Sequence, residues 1–136
     1  MYTVHMDIST LSTKEVGALG EKIACEYLRR HQMKIIAQNV SRKTGEIDII
    51  ARAGESLHFV EVKTILCVQY ADSTGTLDSY DPSNNLHEAK IRRVARTSEW
   101  YVANTNWEGE WQIDAALVWL RKRDGKALVR YFPQIL

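Results

Sequence analysis

The sequence lacks an excess of charge of either sign. Its 136 residues include 18 Lys and Arg against 17 Asp and Glu, so the formal net charge is +1. This balance excludes a strongly basic protein that binds nucleic acid by bulk charge, although it permits a local basic face. Hydrophobic residues make up 45% of the chain and charged residues 26%, which are ordinary values for one globular domain of this length.

The sequence also lacks long hydrophobic runs and a cysteine framework. No stretch approaches the ~20 apolar residues that a membrane span requires. The N-terminal segment MYTVHMDISTLSTKE has no basic region followed by an apolar run, so no signal peptide is predicted. The two cysteines, Cys25 and Cys67, have no metal-type spacing, and the four histidines form no ligand pair. We therefore expect reduced thiols, a cytoplasmic location and no contact with a membrane.

Hydrophobic periodicity predicts an α/β protein with the element order α-β-β-β-α-β-β. Residues 1–13 are expected to form a loosely ordered leader to a single domain over residues 14–136. Apolar residues at three- and four-residue steps predict two helices, over 14–31 and 86–103. Short apolar or alternating runs predict strands over 34–40, 46–52, 57–64, 111–120 and 128–132. Residues 66–84 have no clear period, which favours a mobile loop. Together these elements indicate a mixed sheet flanked by helices.

The second and third predicted strands form a hairpin that carries charged residues on one face. If residues 53–56 make the turn, Asp48 faces Glu61 and Glu46 faces Lys63. Opposed like charges destabilise a sheet, so the two carboxylates require a cation. Two carboxylates, a backbone carbonyl and waters are ligands that suit Mg²⁺ or Mn²⁺. Lys63 could orient an attacking water or stabilise charge on a phosphate.

A structural interpretation of the same hairpin is also open. Any half-solvated hairpin alternates charged and apolar residues. Glu46 and Glu61 could then form surface ion pairs with Lys63, each worth about 0–1 kcal/mol. A slip of one residue in the register would also move one strand's charged set to the other face and separate the carboxylates.

Three segments carry a more specific resemblance: GALGEKIACEYL over 17–28, NVSRKTGEIDIIA over 39–51 and FVEVKT over 59–64. They resemble the YraN-like family of bacterial proteins, predicted endonucleases distantly similar to archaeal Holliday junction resolvases. The resemblance covers residues 15–120 and continues weakly at WQIDAALV over 111–118. The spacing of Asp48 and Glu61-Val62-Lys63 is similar to the metal-binding core of the PD-(D/E)xK nuclease superfamily. This implies a restriction-endonuclease-like fold, a mixed β-sheet flanked by α-helices.

The resemblance also implies a role for each matching residue. Asp48 and Glu61 would hold Mg²⁺ or Mn²⁺ together with the carbonyl oxygen of Val62, and Lys63 would be the catalytic lysine. Glu21 matches a helix glutamate of the resolvase-like branch and would support the metal through water. A solvent-facing helix glutamate is the alternative for that residue.

Other positions qualify the resemblance. Glu46 precedes the aspartate of the GEID motif and would orient Lys63 or a water. Ile65 stands where the family often has Arg, and Gln112 begins a motif that usually starts with Arg. Both departures remove a positive charge near the expected path of a phosphate.

Basic residues in two places are candidates for contacts with nucleic acid. Arg42 and Lys43 precede the GEID strand, and Lys90 and Arg93 share one face of the second predicted helix. Such residues could contact phosphates, which position a duplex without reading its sequence. A solvated helix face is the alternative for the second pair. Trp100 lies among apolar helix positions, so we expect it in the core.

The sequence therefore predicts a metal-dependent endonuclease that cleaves branched or structured DNA by metal-activated water. Nucleases that cut two strands symmetrically tend to be two-fold dimers, so a homodimer is considered as well. The near-neutral charge and Ile65 leave an alternative, a non-catalytic nucleic-acid-binding module on a nuclease-like fold. The aperiodic residues 66–84 and Trp107 leave a second one, a protein-interaction adaptor on the same fold.

Overall fold

Six strands and two α-helices make up the described part of the chain, residues 2–67 and 88–136 of a computed structural model. The helices α1 and α2 are Thr13–Arg30 and Glu88–Asn104; the strands β1 to β6 are Tyr2–Thr3, Lys34–Arg42, Gly45–Ala53, Ser56–Cys67, Glu110–Arg121 and Lys126–Phe132. The strands form one sheet in the order β1-β6-β5-β4-β3-β2. Strands β4 and β5 pair in parallel, and the other neighbours are antiparallel. Neither helix of this described part is long and apolar enough to cross a lipid bilayer.

The mixed α/β sheet predicted from the sequence is confirmed, with one strand more than expected. Leu66 and Cys67 were assigned to the mobile loop, but they extend β4 because they pair with residues 120 and 121 of β5. The rest of the predicted loop, residues 68–84, lies outside the described residues. So do residues 86 and 87 at the start of the second predicted helix.

The N-terminal residues pack on the sheet, unlike the loosely ordered leader expected over residues 1–13. Strand β1 pairs with β6, and the backbone N–H of Val4 donates to the carbonyl oxygen of Gly125 over 2.9 Å. The short 3₁₀ helix Ile8–Thr10 carries Ile8, which is buried in the same core as helix α1. A strand of two residues is too short to produce a periodic signal, so the sequence pattern missed it.

Helix α1 is fixed by its first turn and by its apolar side. The Ser12 hydroxyl accepts a hydrogen bond from the N–H of Glu15 over 3.1 Å, and the Glu15 carboxylate accepts one from the N–H of Ser12 over 3.0 Å. This capping box satisfies two backbone donors that the helix itself cannot pair. On the buried side, Ile23 and Leu28 belong to the core cluster that contains Ile49 of β3.

Helix α2 covers the other face of the sheet. Its buried residue Val94 shares a core cluster with Ile50 of β3 and Phe59 of β4. The neighbouring strand residues Ile49 and Val60 belong to the α1 cluster instead. Because successive residues of a strand point to opposite faces, α1 and α2 lie on opposite sides of the sheet.

The β3–β4 hairpin has the predicted register, and its ladder stops early. The ladder runs from Ala53–Ser56 at the turn to Ile49–Val60. Beyond that pair, β3 continues to pair with β2, and β4 continues to pair with β5. The two strands therefore separate immediately before Asp48 and Glu61. We call this point the fork.

Gly20 of α1 allows the helix to approach β4 closely. A Cβ atom at this position would overlap the Thr64 side chain, whereas a Cβ at Gly17 would meet nothing within 4 Å. Gly20→Ala is therefore expected to lower the free energy of unfolding by about 1–3 kcal/mol, because overpacking forces the backbone to shift. Gly17→Ala is the matched control and should raise it by up to about 1 kcal/mol. Urea denaturation measures both variants, and equal effects would contradict the close approach.

A buried carboxylate connects three strands on the α1 side of the sheet. Asp114 of β5 accepts hydrogen bonds from Gln112 Nε2 over 2.8 Å, from the backbone N–H of Gln134 over 2.9 Å and from the Tyr131 hydroxyl. His58 Nδ1 lies 2.7 Å from Asp114 Oδ2, the oxygen that also accepts from the Tyr131 hydroxyl. Burial raises the pKa of Asp114, but these hydrogen bonds outweigh burial and hold the pKa below its ordinary value.

This network predicts a loss of stability in acid. Because the folded pKa of Asp114 lies below the unfolded value, its contribution is complete above the unfolded pKa and disappears as the pH falls through the folded pKa. Lowering the pH from about 6 to about 3 should therefore reduce the free energy of unfolding of the native protein more than it reduces that of the Asp114→Asn variant. The titratable groups that face Asp114 are His58 and Tyr131. Urea midpoints of the two proteins across this range check the prediction, and parallel curves would refute it.

Candidate metal centre

Two acidic side chains meet at the fork between β3 and β4. Asp48 is half-buried and accepts a hydrogen bond from the backbone N–H of Val62 over 2.8 Å. Glu61 is only 2% exposed, and neither of its carboxylate oxygens accepts a hydrogen bond from the described residues. A buried carboxylate is costly unless positive charge lies beside it, and one ammonium, that of Lys90, does so here.

The pKa values of Asp48 and Glu61 are both raised, which also indicates a need for positive charge. Burial, followed by the negative charge of Asp48, raises the pKa of Glu61 to about 7, although the Lys90 ammonium opposes the shift. Burial also raises the pKa of Asp48, while the hydrogen bond from Val62 lowers it. Both ionised forms are thus disfavoured even with the Lys90 ammonium nearby, and a bound divalent cation would favour both.

This donor set fits a hard divalent cation. The unsatisfied oxygens of Glu61 lie beside a second carboxylate at an open end of the hairpin. Among residues 2–67 and 88–136, no group of three His, Cys, Asp or Glu side chains is placed to hold a metal. Within these residues, the remaining ligands would be backbone oxygens, such as the carbonyl of Val62, and water. Mg²⁺ commonly binds in this way, through one or two carboxylates and several waters.

The cleft in front of the pair lies between the hairpin and helix α2. It has a volume of about 340 Å³ and is lined by Gly45, Glu46, Asp48, Glu61, Lys90, Arg93 and Val94. The Lys90 ammonium, which we expected to contact phosphate, lies 3.2 Å from Glu61 Oε2. Arg93 remains exposed at the cleft, and its side chain packs beside Gly45. Helix α2 thus brings two cations to the acidic pair.

Glu21 approaches the same acidic centre from helix α1. Burial raises the pKa of Glu21 to about 7, and the charges of Asp48 and Glu46 add to the shift. The Glu21 side chain is half-buried, so it is not a fully exposed helix glutamate, and its role beside a metal stays a prediction. Glu21 also lines a groove of about 530 Å³ between α1 and β2, and Glu46 lines the same groove.

Glu46 and Lys63 are placed differently from the expectation. The hairpin ladder ends before these residues, and Glu46 pairs with Ser41 of β2 while Lys63 pairs with Leu117 of β5. The predicted cross-strand pair therefore does not form in the described ladder, because the strands have already separated. Lys63 is exposed and shares the strand face of Glu61, two residues further along β4.

A cationic and aromatic surface adjoins the turn between β2 and β3. The Arg42 guanidinium lies over the Trp100 ring, 3.9 Å from its centroid. Both residues line an open cavity of about 640 Å³ together with Ser41, Lys43 and Thr44. Trp100 is half-buried, so it packs on the protein and also faces this cavity. The sequence pattern predicts only a core position for Trp100, because that pattern does not indicate that β2 ends beside α2.

Comparison with known proteins places the chain in a family. Residues 20–121 match the family described as "Uncharacterised protein family UPF0102", a range that contains every candidate site residue. A UPF0102 protein of Syntrophotalea carbinolica is 36% identical over 124 residues, which cover 91% of this chain and 93% of the relative. One of Campylobacter lari is 34% identical over 109 residues, covering 80% and 88%. One of Geobacter metallireducens is 49% identical over 55 residues, covering 40% and 45%. The chain belongs to the UPF0102 family, which is the YraN-like family that its motifs resemble.

Proposed function

We propose that this protein is a metal-dependent endonuclease that hydrolyses DNA phosphodiester bonds, with branched or structured DNA as its substrate. The observation that carries the proposal is the Asp48–Glu61 pair at the fork, where a half-buried and a fully buried carboxylate line one cleft and, among the described residues, a single ammonium, that of Lys90, lies 3.2 Å from Glu61. Two neighbouring carboxylates disfavour each other's ionised forms, and a bound divalent cation would relieve this. The position of the pair at the end of an open cleft gives that cation a route of entry.

The residues around the pair have distinct roles in this proposal. Asp48, Glu61 and the carbonyl oxygen of Val62 would hold Mg²⁺ or Mn²⁺. When bound, the ion would supply a Lewis acid and an activated water. Lys63, exposed on the same face of β4, would donate a hydrogen bond to a phosphate oxygen and stabilise its charge. Glu21 would hold ordered water beside the acidic centre, which positions that water before reaction.

Positive charges around the acidic centre support DNA as the substrate. The cleft is lined by Arg93, and the neighbouring cavity by Arg42 and Lys43. These groups would bind the phosphates that flank the scissile bond, while a metal ion would reverse the negative charge of the centre. Because the formal net charge is only +1, affinity for plain duplex should be weak, which favours a substrate recognised by its shape.

Cleavage assays test this function directly. Labelled linear duplex, flapped and four-way DNA are incubated with Mg²⁺ or Mn²⁺, and with a chelator as the control. We expect cleavage of the branched substrates that stops on chelation. Binding that survives both chelation and Asp48→Asn, without cleavage of any substrate, would instead support the non-catalytic binding module. Light scattering tests the related proposal of a two-fold dimer, which symmetric cuts in a four-way junction would require.

The cationic surface gives a separate prediction. Arg42→Gln is expected to weaken binding of a four-way junction by about three- to tenfold and to reduce the salt dependence by the equivalent of about one phosphate contact. Arg52→Gln is the matched control, because Arg52 lies over the Trp107 ring at the opposite end of the β3–β4 hairpin. Fluorescence anisotropy at several salt concentrations measures both variants. Equal losses for the two would show that the cavity beside Trp100 makes no specific contact.

A further inference from the structure

We propose that the Lys90 ammonium occupies the cation position beside Glu61 until a divalent ion displaces it. Lys90 would thus be an internal competitor of the metal, and loading of the site would be an exchange of one cation for another. This inference rests on the proposed metal centre and concerns how that centre is filled.

The contact between Lys90 and Glu61 joins an accessible residue to an inaccessible one. Lys90 lies in the first turn of α2, at the mouth of the cleft, and its Nζ atom is 3.2 Å from Glu61 Oε2. The Lys90 side chain is 46% exposed, whereas that of Glu61 is 2% exposed. The ammonium therefore reaches inward from a stem that stays in solvent. Such a side chain can withdraw without any change in the core.

The bonding of Glu61 shows why this partner is replaceable. The Lys90 ammonium contacts one oxygen of Glu61, Oε2, over 3.2 Å, so this ion pair rests on a single contact. A lysine ammonium is a compact charge on a flexible stem and lacks the planar, two-pronged fit that arginine makes to a carboxylate. A single contact from an exposed, flexible side chain holds its position less firmly than a two-pronged pair.

The charge balance of the acidic centre favours the exchange. Lys90 supplies one positive charge to two carboxylates, and only one of those carboxylates is within ion-pair distance of it. A divalent ion carries twice the charge and can coordinate Asp48 and Glu61 together. The ion and the ammonium would compete for the same oxygen of Glu61. Binding of the ion therefore releases Lys90 to the mouth of the cleft, beside Arg93, where it becomes available to a phosphate.

Manganese binding without DNA tests the exchange. Lys90→Met is expected to bind Mn²⁺ about five- to tenfold more tightly than the native protein, because no ammonium has to be displaced. Arg92→Gln is the matched control: it removes a positive charge from the same helix, where Arg92 pairs with the exposed Glu88 over 3.0 Å. We expect less than about a twofold change for this control, because solvent screens the charge. Calorimetric titration with Mn²⁺ measures all three proteins.

Thermal stability gives a second readout that does not depend on cleavage. In the presence of a chelator, Lys90→Met should melt below the native protein, because Glu61 has lost its counter-charge. With saturating Mn²⁺, the two melting temperatures should coincide, because Lys90 is then released in the native protein as well. A deficit that remains at saturating Mn²⁺ would show that Lys90 has a structural role and overturn the inference.

The remaining outcomes separate this inference from the proposed function. Equal or weaker Mn²⁺ affinity in Lys90→Met, together with Mn²⁺ binding by the native protein, would overturn the exchange and leave the nuclease proposal standing. Absence of Mn²⁺ binding in every variant would overturn the metal centre and the exchange with it. Tighter binding in Lys90→Met by a protein that cleaves no DNA would support the exchange and refute the nuclease.

Discussion

Asp48→Asn is expected to lower the rate of metal-dependent DNA cleavage by at least about a thousandfold, because it removes a metal ligand whose charge the reaction requires. Asparagine has the same shape, and its side-chain oxygen can still accept the hydrogen bond from the N–H of Val62. The substitution also removes one of two neighbouring negative charges. The free energy of unfolding should therefore be unchanged or higher, which distinguishes a lost ligand from a lost fold.

Single-turnover cleavage of four-way DNA and urea denaturation measure the two effects in one preparation. Glu26→Gln is a suitable control, because it removes an acidic residue from an exposed ion pair with Arg30 at 2.7 Å. We expect that variant to cleave at the native rate. If Asp48→Asn cleaved DNA at the native rate, Asp48 would not be a metal ligand. If the variant lost cleavage only because it unfolded, the role of Asp48 would be structural.

Asp114→Ala should have the largest effect on stability, a loss of about 3–5 kcal/mol in the free energy of unfolding. The carboxylate is fully buried and accepts hydrogen bonds from side chains of β5 and β6 and from the backbone N–H of Gln134. Its removal leaves Tyr131 and His58 without their buried partner. It also releases Gln134, so the C-terminal residues lose an attachment to the sheet.

Asp124 provides the control for this prediction. Its carboxylate accepts two hydrogen bonds from the Arg121 side chain, at 3.0 Å and 2.7 Å, and one from the N–H of Lys126. It lies in an exposed turn, where water can replace these partners, so Asp124→Ala should cost far less than Asp114→Ala. Urea denaturation compares the two variants. Losses of similar size would show that burial does not determine how much the Asp114 hydrogen bonds contribute to stability.

Local pattern was sufficient to predict the hairpin and the convergence of its acidic residues. A short turn with alternating strands on both sides permits very few registers, and the pairing of Ile49 with Val60 confirms the one expected. Helix α1 likewise follows from its spacing and its capping residues. These features depend on residues close together in the sequence, where geometry leaves few alternatives.

The remaining features depend on contacts that no local pattern encodes. Beyond the fork, β4 is held in the sheet by its parallel pairing with β5, which lies beyond helix α2 in the chain. Lys90 contacts Glu61, and Arg42 covers Trp100, only because α2 packs on the face that carries Phe59. The partners of Asp114 come from separate strands and from the C-terminal residues, so its sequence neighbours gave no sign of its role.

The hydrogen bond from Val62 to Asp48 has a consequence for amide exchange. At the fork, this backbone N–H is held by a side chain instead of by a carbonyl of the neighbouring strand. Its proton can therefore exchange with deuterium whenever the Asp48 carboxylate rotates away, without any unfolding of the sheet. The amides of the buried ladder next to it require a larger opening. The exchange rate of the Val62 amide, measured in heavy water, therefore reports how often the Asp48 side chain moves away.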